Sequence, residues 1–137
     1  ELYKKALIVD PINETAVLEL GNIYMSRVKT DTLGMNYLAK ANRLLDVFIL
    51  ANPNHEIANY MKAHCYYMNR DIRSALATCD KIISYNPKYE SSYILASQLR
   101  LVLGDLNGAE NYLLRLLNEG MIGQELVDML IQLARCA

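Results

Sequence analysis

The chain has little that would disturb a helix and little that would do chemistry. Tryptophan is absent, phenylalanine occurs once, and only 6 glycines and 3 prolines punctuate 137 residues. With so few breakers, and with leucine, alanine, tyrosine and methionine abundant, helix is favoured over sheet. Charge of one sign is also missing. The 14 basic and 15 acidic residues leave a net charge of −1, and they are spread without a basic stripe, which excludes the electrostatic footprint of a nucleic-acid binder or a membrane-surface binder. No apolar run approaches the roughly 18 residues of a membrane span, so insertion into a bilayer is not expected. Residues Glu1-Leu2-Tyr3-Lys4-Lys5 are neither a start methionine nor a signal peptide, and the chain is expected to be a piece of something longer.

Catalytic and metal constellations are missing too. The cysteines are odd in number, and Cys65, Cys79 and Cys136 match no zinc or redox spacing. They read as reduced thiols packed as small hydrophobes, which points to an intracellular, cytoplasmic compartment. Of the two histidines, His55 lies in a proline turn, and His64 has no partner at the helical offsets a metal site needs. Gly104, Gly108, Gly120 and Gly123 read as turn and cap residues, not a phosphate loop. No enzyme activity, cofactor or metal is expected.

What is present is a repeat. The interval from Pro53 to Pro87 is 34, and that from Pro11 to Pro53 is 42, which is 34 plus 8. Each proline sits in a similar phrase: Val9-Asp10-Pro11, Asn52-Pro53-Asn54, Asn86-Pro87-Lys88. Proline disfavours α geometry in the residue before it, so each phrase ends a helix. Asp71 and Asp105 are placed as N-caps, and the interval between them is again 34. The punctuation predicts helices at about 14–27 paired with 33–51, 56–69 with 72–85, and 90–103 with 106–118, with single helices at about 1–9 and 124–136.

This pattern resembles the tetratricopeptide repeat. The first full unit reads Val17, Leu20-Gly21, Tyr24, Ala41, Leu45, Phe48, Pro53; the second Asn59, Lys62-Ala63, Tyr66, Ala75, Cys79, Ile82, Pro87. The third reads Tyr93, Ala96-Ser97, Arg100, Gly104, Ala109, Leu113, Leu116, with Met121 in place of proline. The resemblance implies an all-α fold, a right-handed superhelix (α-solenoid) of antiparallel helix pairs. Its divisions are expected at 1–11 (end of a preceding repeat), 12–53 (a repeat with an 8-residue insertion), 54–87, 88–121 and 122–137 (a terminal, capping helix). The insertion falls around Arg27 to Met35, so the second helix begins early or the turn becomes a loop. In the last helix Ile131 occupies the small position held by Gly21, Ala63 and Ser97. A bulky residue there hinders further pairing and favours a terminal role.

The resemblance also implies a concave wall made mostly of first helices, on which a protein or peptide partner is bound. The residues following the small positions are Asn22, His64, Gln98 and Gln132, at intervals of 42, 34 and 34. Each can donate and accept, which suits an extended peptide backbone. On the same helical faces lie Leu18 and Met25, Tyr60 and Tyr67, and Ile94 and Leu101. Aromatics anchor interfaces, so Tyr60 and Tyr67 are the expected anchors. Chaperone-binding members clamp a C-terminal carboxylate with lysines. Leu18 and Tyr60 stand at those lysine positions here, so that acidic tail is not an expected ligand. The alternative function is a structural subunit piece that self-associates or assembles through its end helices within a large multiprotein complex. A third reading is the regulatory arm of an enzyme.

Overall fold

A computed structural model describes residues 1–28 and 34–136. Eight helices occur among them: α1 (Leu2–Val9), α2 (Glu14–Val28), α3 (Gly34–Ala51), α4 (Glu56–Met68), α5 (Ile72–Tyr85), α6 (Glu90–Val102), α7 (Leu106–Asn118) and α8 (Gln124–Cys136). No strand is found among the described residues. None of these helices is long and apolar enough to cross a membrane. They divide into two compact units, Glu1–Arg70 and Asp71–Ala137.

The helix ends follow from local chemistry. Asp71 Oδ1 accepts from the Ser74 amide at 3.2 Å, and Asp105 Oδ1 from the Gly108 amide at 2.8 Å, as an N-capping aspartate does. After Pro11 and Pro53, the residue two places on caps the next helix. Asn13 Oδ1 accepts from the Ala16 amide at 3.0 Å, and His55 Nδ1 from the Ala58 amide at 3.2 Å. An accepting Nδ1 places the His55 proton on Nε2, which faces Glu14 Oε1 at 2.5 Å. The carbonyls of Pro53 and Pro87 are also held. Asn59 Nδ2 donates to the Pro53 carbonyl at 3.0 Å, and the Tyr93 hydroxyl donates to the Pro87 carbonyl at 2.7 Å. These two residues occupy matching places in the repeat frame, so one job is done by two different side chains.

Helix α3 begins at Gly34, whereas α5, its counterpart in that frame, begins at Ile72, which would match Leu38. The early start adds about one helical turn to α3, the first of the two alternatives read from the sequence. Residues 29–33 of the insertion lie outside the described residues.

In the first unit, α1 and α3 pack against α2, and α4 packs against both α2 and α3. The core is Val17, Leu20 and Tyr24 of α2, Leu38, Ala41, Leu45 and Phe48 of α3, and Ala58, Met61 and Cys65 of α4. The hydrophobic positions recur at offsets of three and four, the period of a helix face. Phe48 takes the edge-on ring of His55 at 5.1 Å and 84°. Burial pushes the Cys65 thiol up to about 11, with Lys62 opposing the shift.

In the second unit, α6 packs against α5, α7 and α8, and α7 against α8. Tyr93, Leu95, Leu99, Leu113, Leu116 and Leu126 are almost fully buried. The Tyr112 hydroxyl donates to Asp80 Oδ1 at 2.6 Å, tying α7 to α5. Its phenol is pushed up to about 12, by burial first and then by the hydrogen bond to and charge of Asp80, with Arg100 opposing. Arg115 lies over the rings of both Tyr93 and Tyr112, at 5.7 and 5.5 Å.

Candidate partner-binding face

The small position on α2 is Gly21, which is buried where α2 meets α4. A Cβ there would come within 2.7 Å of Met61 Cε. The absent side chain is what lets Met61 lie against α2 and brings the two helices together. One residue further on, Asn22 is turned to the surface and is exposed. Leu18 and Met25, four before and three after Asn22, are partly buried and pack against the unit's core. The α2 face is therefore a polar side chain between two apolar ones that are anchored from beneath.

The neighbouring α4 carries the same arrangement in aromatic form. Tyr60 and His64 are both partly buried, and their rings meet edge to face at 4.7 Å and 87°. An offset of four stacks side chains one turn apart, and this geometry is the favourable one for ring quadrupoles. Tyr67 is 42% exposed and extends the stripe by another turn. The adjoining Lys62 stands where a leucine or alanine stands in the other repeats. Its ammonium reaches back to α3, 2.8 Å from Asp46 Oδ1 and 2.7 Å from Asn42 Oδ1, over the ring of Tyr66 at 5.0 Å. The long stem fills an apolar slot while the charged tip is paired with Asp46, whose own side chain is exposed.

In the second unit, Gln98 of α6 and Gln132 of α8 are exposed, on helices in mutual contact. Leu101 is partly buried, and Ile94 is 6% exposed, so Ile94 acts from within the packing and offers almost no surface to a partner. The four polar positions thus fall into two pairs: Asn22 with His64 in one unit, and Gln98 with Gln132 in the other.

Among the described residues no group of three His, Cys, Asp or Glu could hold a metal ion. Cys65 and Cys79 are buried, Cys136 is exposed, and all three are free thiols. Burial pushes the Cys79 thiol up to about 12, which suppresses the reactive thiolate.

Several interactions are not visible in the sequence. His55 is an uncommon capping residue, and its link to Glu14 spans 41 positions. The Tyr112–Asp80 bond spans 32 positions. Placing both residues in the repeat frame puts them on the second helices of successive repeats, and that is the signal that would find the bond.

The fold matches solved tetratricopeptide proteins. A thermophilic tetratricopeptide protein of Thermus thermophilus aligns at a TM-score of 0.82 and 16% identity, over 98% of this chain and 69% of that one. The first tetratricopeptide domain of human RPAP3 aligns at 0.74 and 18%, over 92% of this chain and 93% of that one. The first such domain of Spaghetti (RPAP3), solved bound to the HSP90 peptide SRMEEVD, aligns at 0.69 and 18%, over 92% and 96%. At these identities the likeness establishes the all-α repeat fold. No curated protein matches the sequence. The model of the second ARM domain of tetratricopeptide repeat protein 21 matches residues 9–117, most of the chain. With its repeat frame, its helix pairing and this match, the chain belongs to the family of the tetratricopeptide repeat protein 21 second ARM domain.

Proposed function

We propose that the chain is a non-catalytic protein-binding scaffold, and that the α2–α4 face of its first unit receives an extended or helical segment of a partner protein. The observation that carries this reading is the Tyr60–His64 pair, locked edge to face at 4.7 Å, beside the half-exposed Tyr67. Rings already held in place lose little freedom on binding, which is what makes an anchor effective. Asn22 and His64 add donors and acceptors for a peptide backbone, whose N–H and C=O groups alternate irrespective of sequence. Gln98 and Gln132 offer the same chemistry in the second unit.

The segment is not the acidic tail held by the RPAP3 relative. Leu18 and Tyr60 stand where the family resemblance implies carboxylate-clamping lysines, so a terminal carboxylate would meet an aliphatic and an aromatic side chain. Peptides selected from a displayed library by the full chain test the reading. Tyr60→Ala with Tyr67→Ala is expected to weaken the selected peptides by about 30-fold or more, the scale of an interface anchor of about 2 kcal/mol. Unchanged affinity with intact helicity would remove this face from consideration.

A second reading, assembly through the end helices, draws on exposed apolar side chains. Leu2, Ile8 and Val9 of α1 are 79, 82 and 87% exposed, and Val127 and Ile131 of α8 are 40 and 46% exposed. A sedimentation coefficient independent of concentration would count against it.

A further inference from the structure

We propose that the cleft between α1 and α3 is a separate docking site, for an acidic amphipathic segment of a protein partner. This inference uses none of the residues of the α2–α4 face and stands independently of it. The cleft lies wholly within the first unit and has a volume of 550 Å³. Its floor is Leu20 and Tyr24 of α2, and its walls are Leu7 of α1 and Leu44 and Val47 of α3. Val47 is 51% exposed, and Leu50, about one turn further along α3, is 88% exposed, so the apolar surface continues past the cleft.

The rim is cationic. Lys4, Lys40 and Arg43 line the cleft, and no carboxylate does. Among the described residues none of the three is in a salt bridge. Lys40 instead lies over the rings of Tyr24 and Tyr37, at 5.9 and 5.4 Å. Three like charges around a low-dielectric floor repel one another and concentrate a field that carboxylates would relieve.

The repeat supplies an internal control. Lys4 precedes Asp46 by the longer interval of 42, and Asp46 precedes Asp80 by 34, so the three hold one position in the frame. Asp46 is 2.8 Å from the Lys62 ammonium, and Asp80 takes the Tyr112 hydroxyl at 2.6 Å. The position of Tyr112 is held two repeats earlier by Leu44. Where the second unit has an acid gripped by a tyrosine, this cleft has a lysine beside a leucine. The matching cleft of the second unit carries Asp80 and Glu119 with Arg115, acids and base together. Of the two, the first cleft leaves its cations uncompensated. An incoming helix with leucines facing the floor and glutamates facing the rim completes it.

The test uses the full 137-residue chain and a fluorescein-labelled helical peptide of Leu, Ala and Glu, with leucines at i, i+3, i+4 and i+7 and flanking glutamates. The same peptide with Gln for every Glu serves as its control. The Glu peptide is expected to bind saturably and to shift the methyl resonances of Leu7, Leu20, Leu44 and Val47. Replacing Glu by Gln, or introducing Lys4→Glu with Arg43→Glu, is expected to weaken binding by about tenfold, as lost interfacial charge pairs do. Lys4→Arg with Arg43→Lys should retain it. Both altered side chains are exposed, and circular dichroism checks that the variants remain folded. Equal affinity of the two peptides, indifference to the charge reversal, shifts confined to Tyr60, His64 and Tyr67, or capture by phosphatidylserine vesicles without peptide binding would each overturn the proposal.

Discussion

Replacing Tyr112 by Phe isolates a single hydroxyl in an otherwise unchanged packing site. Tyr112 is 6% exposed, and its hydroxyl donates to Asp80 Oδ1 at 2.6 Å across α7 and α5. A hydrogen bond to a charged acceptor contributes about 1.5–3 kcal/mol when both partners are dry. Asp80 is exposed, so water replaces the lost donor at the carboxylate, and the expected loss is about 1 kcal/mol. Urea unfolding followed by far-ultraviolet circular dichroism reads that difference at neutral pH. The pH dependence gives a sharper signature. The folded phenol is held at about 12, above the roughly 10 of an unfolded tyrosine. A group raised in the folded state adds stability that is complete below the unfolded value and is lost as pH rises through the folded one. The advantage of the natural chain over Tyr112→Phe should therefore be constant up to about pH 10 and then shrink between about 10 and 12. With about 1.4 kcal/mol lost per pH unit, it should reverse at about pH 11, because the phenol then ionises more readily in the unfolded chain than beside the Asp80 carboxylate. Other tyrosines and thiols titrate in both proteins and cancel in the difference. A difference that stays constant from pH 8 to 12, or a variant more stable than the natural chain at neutral pH, would refute this account of the α5–α7 contact.

Two further outcomes can be checked with simple measurements. Arg70 has φ of 62°, in the turn whose equivalent one repeat later holds Gly104, with φ of 76°. Arg70→Gly should raise stability by up to about 1 kcal/mol and Gly104→Ala should lower it by about 1 kcal/mol, because only glycine adopts this geometry without strain; thermal melts of both variants check the opposite signs. Thiol labelling of the folded chain near pH 8 should modify Cys136 first and leave Cys65 and Cys79 protected. Burial covers the latter two and pushes them up to about 11 and 12. Mass spectrometry that finds Cys65 labelled as fast as Cys136 would contradict the packing described for the first unit.

The helices are legible because their ends are written in residues with one strong local preference. Proline disfavours helix in the residue before it, and Asp71 and Asp105 offer a carboxylate to a free amide at the next helix start. Small residues at Gly21, Ala63 and Ser97 mark the buried seams, and all three are buried. Less legible are contacts whose partners are fixed only by stacking. Nothing local to Lys62 says that its ammonium turns back to Asp46 and Asn42, and nothing local to Asn59 says that it holds the Pro53 carbonyl. On the candidate face, helical offsets correctly put Tyr60 and His64 side by side, since that is a property of one helix. They could not show that Ile94, at the place equivalent to Tyr60, is sealed into the second unit, because burial there depends on which neighbouring side chains close over it. The cationic cleft is hidden for the same reason. Lys4, Lys40 and Arg43 are ordinary surface residues in the sequence and form a rim only when α1 and α3 flank α2.

The most direct test of the partner-binding reading is a nuclear magnetic resonance footprint of a library-selected peptide on the isotopically labelled full chain. Amide and aromatic shifts gathered on Asn22, Tyr60, His64 and Tyr67, with slowed exchange of the Tyr60 and His64 rings, are the predicted result. Shifts that avoid α2 and α4 and gather instead on the exposed apolar residues of α8 would contradict it.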